Sequence, residues 1–324
     1  MKRNVLAGIS AASAMLILIL DSQTALRGAA EGLGLCVRSV VPSLFPFLFL
    51  STLLTGAVNG ASLPFLRPIG RLCGIPAGAE SLLLAGLLGG YPVGAKSITQ
   101  MYLNGQLNRK DAQRMLGFCS NCGPSFIFGI IGPQFAAPGS AWILWGIHIA
   151  SALVTGMLLP GRSQNCCAQQ NSHISCQNAL RQAIAAMAQI CGWVVLFRVL
   201  LSFLERWFLW LFPAGWAVLL TGILELTNGC LSLSAVSPEE LRVFLASIML
   251  SVGGLCVCMQ TVSVTEGLGL GMYLPGKLLQ CLVSAILAAF IMKPGIWPPL
   301  LLAMLGILCR EIKNKGRNSV SVGV

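Results

Sequence analysis

Apolar runs follow one another along almost the whole chain, at residues 5–20, 33–54, 79–102, 115–131, 142–159, 183–204, 207–226, 243–260, 278–292 and 296–308. A helix needs about 17–25 mostly apolar residues to cross a bilayer, so the shorter runs predict tilted or half-crossing helices, about eight to ten in all. Pro42 and Pro46, inside VPSLFPFLFL, each remove an intrahelical hydrogen bond and predict a bend. Four polar, glycine-rich segments interrupt the pattern: GGYPVGAK at 89–96, CSNCGPSF at 119–126, GILELTNG at 222–229 and SVGGLCVCMQT at 251–261. Irregular backbone at membrane depth survives only where protein or a water-filled cavity satisfies its freed N–H and C=O groups. The breaks therefore predict a binding site.

The breaks come in two pairs. Each half of the chain carries a membrane glutamate, Glu80 or Glu225, followed by a polar break opening at Cys119 or Ser251, with a shorter connection in the second copy. The predicted organisation is a first half at 1–160, a polar connection at 161–182, a second half at 183–310 and a basic tail at 311–324. The predicted fold is all-α and polytopic: two related, inverted repeats with broken helices, the sequence signature of secondary carriers that hold substrate near the midplane. Residues 5–20 also have the outline of a signal peptide. A retained helix is the preferred reading, because another apolar run follows and no convincing small-x-small site does.

Composition agrees with the membrane class: 56% of residues are hydrophobic, 10% are charged and mean hydropathy is +0.80, against about 25% charged in an average soluble domain. The net charge of +11 does not point to nucleic acid, since the basic residues gather at the ends of apolar runs. Lys2 and Arg3 precede the first run, Arg310, Lys313, Lys315 and Arg317 follow the last, and Arg109, Lys110 and Arg114 form a third cluster. By the positive-inside bias all three are cytoplasmic, with both termini, in a multi-pass protein of the cell membrane. Trp142, Trp145, Trp207, Trp210 and Trp216 fit an interfacial belt. Most of the 13 cysteines, Cys36, Cys191, Cys230, Cys281 and Cys309 among them, sit in apolar runs as small hydrophobes. The stretch with Cys166, Cys167, His173 and Cys176 lacks metal-ligand spacing, and the Cys119/Cys122 pair has no thioredoxin-like setting. No Ser-His-Asp, HExxH or paired-carboxylate pattern occurs, so neither an enzyme nor a metal or cofactor is expected. GGYPVGAKS falls short of a phosphate loop, with only three residues between Gly90 and Gly94.

Charges inside a membrane need partners or water, which makes Glu80, Lys96, Glu225 and Glu266 functional candidates. A helix restarting near Val93 would gather unpaired N–H groups, the positive end of a helix dipole and the Lys96 ammonium, with Ser97 and Thr99 nearby. This is an anion-receiving arrangement. The second break repeats it with Ser120, Asn121, Gly123, Pro124 at the first helical position and Ser125. The second half contributes Glu225, Thr227, Asn228, Gly253, Gly254 and Gln260, while Glu80 and Tyr91 are candidates for coupling or structural roles. Plainer readings exist: Glu80 at the water interface, Lys96 in a short loop, Asn121 and Gln260 in interhelical hydrogen bonds, and His148 as a packing residue with one hydrogen bond.

Five segments together resemble a known family: PSLFPFLFL at 42–50, LLGGYPVGAK at 87–96, CSNCGPSFIFG at 119–129, GILELTNG at 222–229 and SVGGLCVCMQ at 251–260. They are similar to the sporulation integral membrane proteins of the YlbJ type, which carry the nucleoside-recognition, or Gate, domain. Cys122 and Cys256 depart from the small residues expected there. The resemblance implies transport of dipicolinic acid from the mother cell into the forespore across the outer forespore membrane. Dipicolinate, a planar dianion, suits Lys96 and the two helix N-termini. Two other classes stay open: a nucleoside or nucleobase symporter using Glu80, Glu225, Asn121 and Gln260, and a non-transporting sporulation scaffold. So do a homo-oligomer and sporulation partners in the membrane.

Overall fold

The computed structural model describes residues 2–58, 63–161, 175–265, 267–293, 305–307 and 309–310. Glu266, Cys166, Cys167, His173, most of the run at 296–308 and the tail at 311–324 lie outside them. The described residues form an all-helical, polytopic membrane protein, with six helices long and apolar enough to cross a bilayer and shorter apolar helices at Gly8–Leu20 and Ala214–Leu224.

In the first half, α1 (Lys2–Leu20) leads into α2 (Ser22–Leu35), which continues through a π-turn at Cys36–Val40 into α3 (Val41–Val58). Pro42 has no N–H to give the preceding turn, and the wider π-turn lies where that bond is missing. Next come α4 (Arg67–Leu72), α5 (Glu80–Leu88), α6 (Val93–Leu103) and α7 (Arg109–Cys119). The short α8 (Pro124–Phe126) continues as a π-turn at Ile127–Ile131, and α9 (Ser140–Leu158) closes the half. The second half comprises α10 (Cys176–Trp207), α11 (Ala214–Leu224), α12 (Leu226–Leu231), α13 (Glu239–Val252), α14 (Gly254–Val264) and α15 (Tyr273–Met292).

Helix α2 starts well ahead of the apolar run predicted at residue 33. Its polar residues have local work: the Asp21 side chain accepts from Thr24 N at 3.3 Å, and Arg27 pairs with Glu31 one turn away at 2.8 Å. The helix is held by α10. A methyl group at Gly28 would stand 2.9 Å from Val199 Cα, and one at Gly32 2.9 Å from Val195 Cα, the close approach that small residues four apart permit between membrane helices. Arg198 beside this seam binds Glu31 and reaches Glu205 at 2.7 Å. The run at 207–226 is not one span. Helix α10 carries on to Trp207, and α11, beginning after Pro213, has eleven residues and stops at Glu225.

Helices α7, α9, α13 and α15 pack on one another at the centre. The same succession recurs in both halves: a broken pair (α5 and α6; α11 and α12), a second broken pair (α7 and α8; α13 and α14), then an uninterrupted helix (α9; α15). Across the halves, α15 packs on α7 and α13 on α9. In this succession Glu225 corresponds to the segment between Leu88 and Val93, not to Glu80, which heads α5. The equivalence of the two glutamates is thereby corrected.

Arg114 does not join a solvent-facing cluster with Arg109 and Lys110. It is buried, and its guanidinium donates to Cys73 O and Gly156 O at 2.6 Å each, Pro160 O at 3.1 Å, Gly74 O at 3.2 Å and Leu159 O at 3.3 Å. These carbonyls end α4 and α9, where unpaired C=O groups and the negative end of the dipole favour a cation. Charged hydrogen bonds contribute about 1.5–3 kcal/mol each. Arg114→Ala is expected to lower the thermal midpoint sharply, and Arg114→Lys to recover only part of the loss, because an ammonium has three protons for five carbonyls.

Candidate functional site

Each break ends in a helix N-terminus, and the four N-termini meet. Helix α6 starts at Val93 after Pro92, α8 at Pro124 after Gly123, α12 at Leu226 after Glu225, and α14 at Gly254 after Gly253. The restart at Val93 and the placing of Pro124 agree with the sequence reading. A methyl group on Gly90 would stand 2.9 Å from Gly123 N, one on Gly253 3.1 Å from the Tyr91 hydroxyl, and one on Gly254 2.9 Å from Gly222 O. The first break thus touches the second and the fourth, and the fourth touches the end of α11. Gly253 and Gly254 have φ of 77° and 79°, a left-handed pair that glycine adopts without steric cost and that turns the chain sharply between α13 and α14.

At this junction stands a cation that the sequence reading passed over. Lys277 is 2% exposed. Its ammonium donates to Ser120 O, to Gln280 Oε1 at 2.8 Å, to the Tyr91 hydroxyl at 3.2 Å and to Asn121 Oδ1 at 3.5 Å. Among the described residues no carboxylate pairs with it. Gln280 Nε2 also donates to Asn121 Oδ1 at 2.9 Å, and Asn121 Nδ2 to Phe118 O at 2.6 Å. The Tyr91 hydroxyl donates onward to Leu250 O at 3.3 Å, so one side chain of the first half links α15 to the end of α13. His148, on α9, accepts from Cys122 N at 3.1 Å and holds the second break from the other side. This matches its reading as a packing residue with one hydrogen bond. The hydroxyls of Ser120 and Ser251, both at breaks and both fully buried, have no partner.

A small cavity of about 50 Å³, room for a few waters, lies beside the cluster, and its walls include Tyr91, Gly123, Ser125, Glu225, Thr227 and Gln260. Lys277 is not a wall residue. Tyr91 stands between it and the cavity. Glu225 is 2% exposed and caps α12, accepting from Thr227 N at 3.0 Å, Asn228 N at 2.7 Å and Asn228 Nδ2 at 2.6 Å. The positive end of a helix accommodates a carboxylate in this position. Glu225→Gln turns one acceptor oxygen into a donor facing Asn228 and is expected to cost about 2–3 kcal/mol, read as a lower thermal midpoint.

Gln260 lines the cavity and donates to Cys256 Sγ within its own helix at 3.5 Å. Three predicted residues, Glu80, Lys96 and Ser97, fall elsewhere. Glu80 is fully buried, but it binds Arg67 at 2.7 Å and Gly78 N at 2.9 Å, closing the turn before α5 away from the junction. Lys96 and Ser97 face a second cavity, where Lys96 donates to Gln182 on α10 at 3.1 Å. Asn121, Ser120, Gly123, Ser125, Glu225, Thr227, Asn228, Gly253 and Gly254 are brought together; Lys96 is not the cation among them. Lys277 and Gln280 were the missed residues. Their signal was a lysine and a glutamine three apart, on one face of a helix that is otherwise apolar.

The chain is 34% identical over 144 residues to the sporulation integral membrane protein YlbJ of Bacillus subtilis (strain 168), a match covering 43% of this chain and 34% of that protein. Over that stretch the chain is similar to an integral membrane protein of sporulation. The match thus spans about a third of the curated relative's length. No family model matches the chain, so the Gate-domain assignment gains no support from this quarter. No solved structure matches it.

Proposed function

We propose that this protein is a secondary carrier that moves a small organic dianion across a membrane during sporulation, with dipicolinate as the favoured substrate. One observation carries the reading: a buried ammonium, Lys277, whose hydrogen-bond partners are neutral oxygens and which no carboxylate pairs with among the described residues, at the meeting point of four interrupted helices. An ionised group at membrane depth is costly, and residues of this kind mark substrate or ion pathways. The N-termini of α6 and α14 add positive potential at the same place. Tyr91 covers Lys277 from the cavity, so substrate reaches the ammonium as the tyrosine moves aside.

The two halves act as inverted repeats, and their relative movement alternates access to the junction. The likeness to a sporulation protein supports a sporulation setting, and the outer forespore membrane with cytoplasmic termini is the location this reading assigns. The reading is one of carriage, not catalysis, with the lipid bilayer and the anion as its partners.

The test is flux into liposomes containing the purified protein, with labelled dipicolinate compared with a labelled nucleoside. Saturable dipicolinate flux, unaffected by excess nucleoside, is expected. Nucleoside flux without dipicolinate flux would replace the reading with a nucleoside symporter. A folded protein that moves neither would make it a scaffold.

A further inference from the structure

The larger cavity, about 330 Å³, lies within the size range of small-molecule sites. Its polar wall includes Ser81, Lys96, Ser97, Gln100, Asn104 and Gln182. Lys96 is half-buried with Gln182 as its hydrogen-bond partner, and no carboxylate pairs with it among the described residues. Ser81 supplies a second, independent mark of a ligand: it is 3% exposed, lines the cavity and has an unpartnered hydroxyl. A buried hydroxyl without a partner has given up its hydrogen bond to water, which a bound oxygen would restore.

The two cavities follow one seam. Along α3 the smaller is lined by Leu44 and Leu48 and the larger by Thr52 and Gly56; along α10 the smaller is lined by Ile190 and Val194 and the larger by Gln182 and Ala186. Numbering rises on α3 as it falls on α10, so these antiparallel helices rule two successive chambers between them. At the boundary, Leu48, Val93 and Met187 belong to one buried apolar cluster. On its wall, Asn104 is followed closely along the chain by the exposed Arg109 and Lys110, and Gln182 comes directly after the exposed Arg181; basic residues so placed favour anions nearby.

We propose that the larger cavity is a second anion-binding site, a vestibule whose cation is Lys96, in series with the Lys277 chamber and separated from it by an apolar gate of Leu48, Val93 and Met187. The vestibule stands on its own geometry; the gate rests on the carrier reading above. A dianion first meets Lys96 and the Ser81 hydroxyl, then passes the gate when α3 and α10 part.

Equilibrium binding of pyridine-2,6-dicarboxylate to the purified full-length protein tests this. Wild type is expected to bind two anions per chain, Lys96→Gln one, and Lys96→Arg two. Lys277→Met is expected to retain the vestibule anion alone. Unchanged stoichiometry and affinity in Lys96→Gln would overturn the vestibule, as would a single wild-type site that Lys277→Met abolishes. If Lys277→Met leaves binding intact while Lys96→Gln removes it, the vestibule survives and the central carrier site falls. Met187→Trp is expected to cut liposome flux at least ten-fold with two anions still bound; full flux in that variant would eliminate the gate.

Discussion

Lys277→Met is expected to reduce dipicolinate flux by about 100-fold or more while the protein stays folded. A 100-fold loss of affinity corresponds to about 2.7 kcal/mol, within the range seen when one member of a buried charge pair is removed. Methionine nearly matches the lysine stem in length, so the packing around Gly276 and Gln280 should persist. What disappears is the donor to Ser120 O, Gln280 Oε1 and the Tyr91 hydroxyl.

The sign of the stability change separates function from bracing. Burying an ammonium without a counter-ion costs several kcal/mol, and apolar replacements of buried charges are often neutral or stabilising. If Lys277 is kept for an anion, the thermal midpoint of Lys277→Met stays level or rises and the stabilisation that dipicolinate gives wild type falls to what the vestibule anion alone supplies. A large fall in midpoint with ligand stabilisation intact would make Lys277 a brace between α15 and the second break, and would remove the basis of the carrier reading. Lys277→Arg should not rescue flux, because a planar guanidinium cannot occupy the compact space of the ammonium.

The breaks were legible because glycine, proline and small polar residues within apolar helices have few other uses. Val93 and Pro124 begin helices where backbone chemistry demands, and Asn121, Glu225 and Gly253 meet as their positions suggested. The identity of the cation was not legible. Lys96 lies just beyond the restart at Val93, yet its side chain turns to α10 and Gln182, a choice set by tertiary packing and not by distance along the chain. Lys277 precedes the apolar run at 278–292, where a lysine usually reaches the interface along its own stem. Helix α15 begins earlier, at Tyr273, and this extra turn carries Lys277 inward. Glu80 looked like an unpaired membrane carboxylate because its partner, Arg67, lies outside the apolar pattern. The first turns of helix α2 lie outside the apolar run at 33–54, and what holds them shows only when α10 is laid against Gly28 and Gly32.

Gly276→Leu is expected to lower both stability and binding at the central site, which separates it from Lys277→Met one residue away. A methyl group at Gly276 would stand 2.4 Å from Gly117 Cα and 2.5 Å from Gly117 O, backbone atoms that cannot turn aside as a side chain would. Any side chain there pushes α15 off α7. Overpacking of this kind typically costs about 1–3 kcal/mol, and here the displacement has a second consequence. Gly117 is one turn before Ser120 and Gly276 adjoins Lys277, so the contact that brings the two backbones together also delivers the ammonium to the second break. Separating the helices draws Lys277 from Ser120 O and Asn121 Oδ1, weakening dipicolinate binding alongside the lower midpoint. Leu278, 55% exposed on the outer face of the same helix, is the control: Leu278→Ala should leave both measurements near wild type. Wild-type affinity in Gly276→Leu would mean that the junction does not depend on the approach of α7 to α15, and Lys277 would lose the structural reason for its place there.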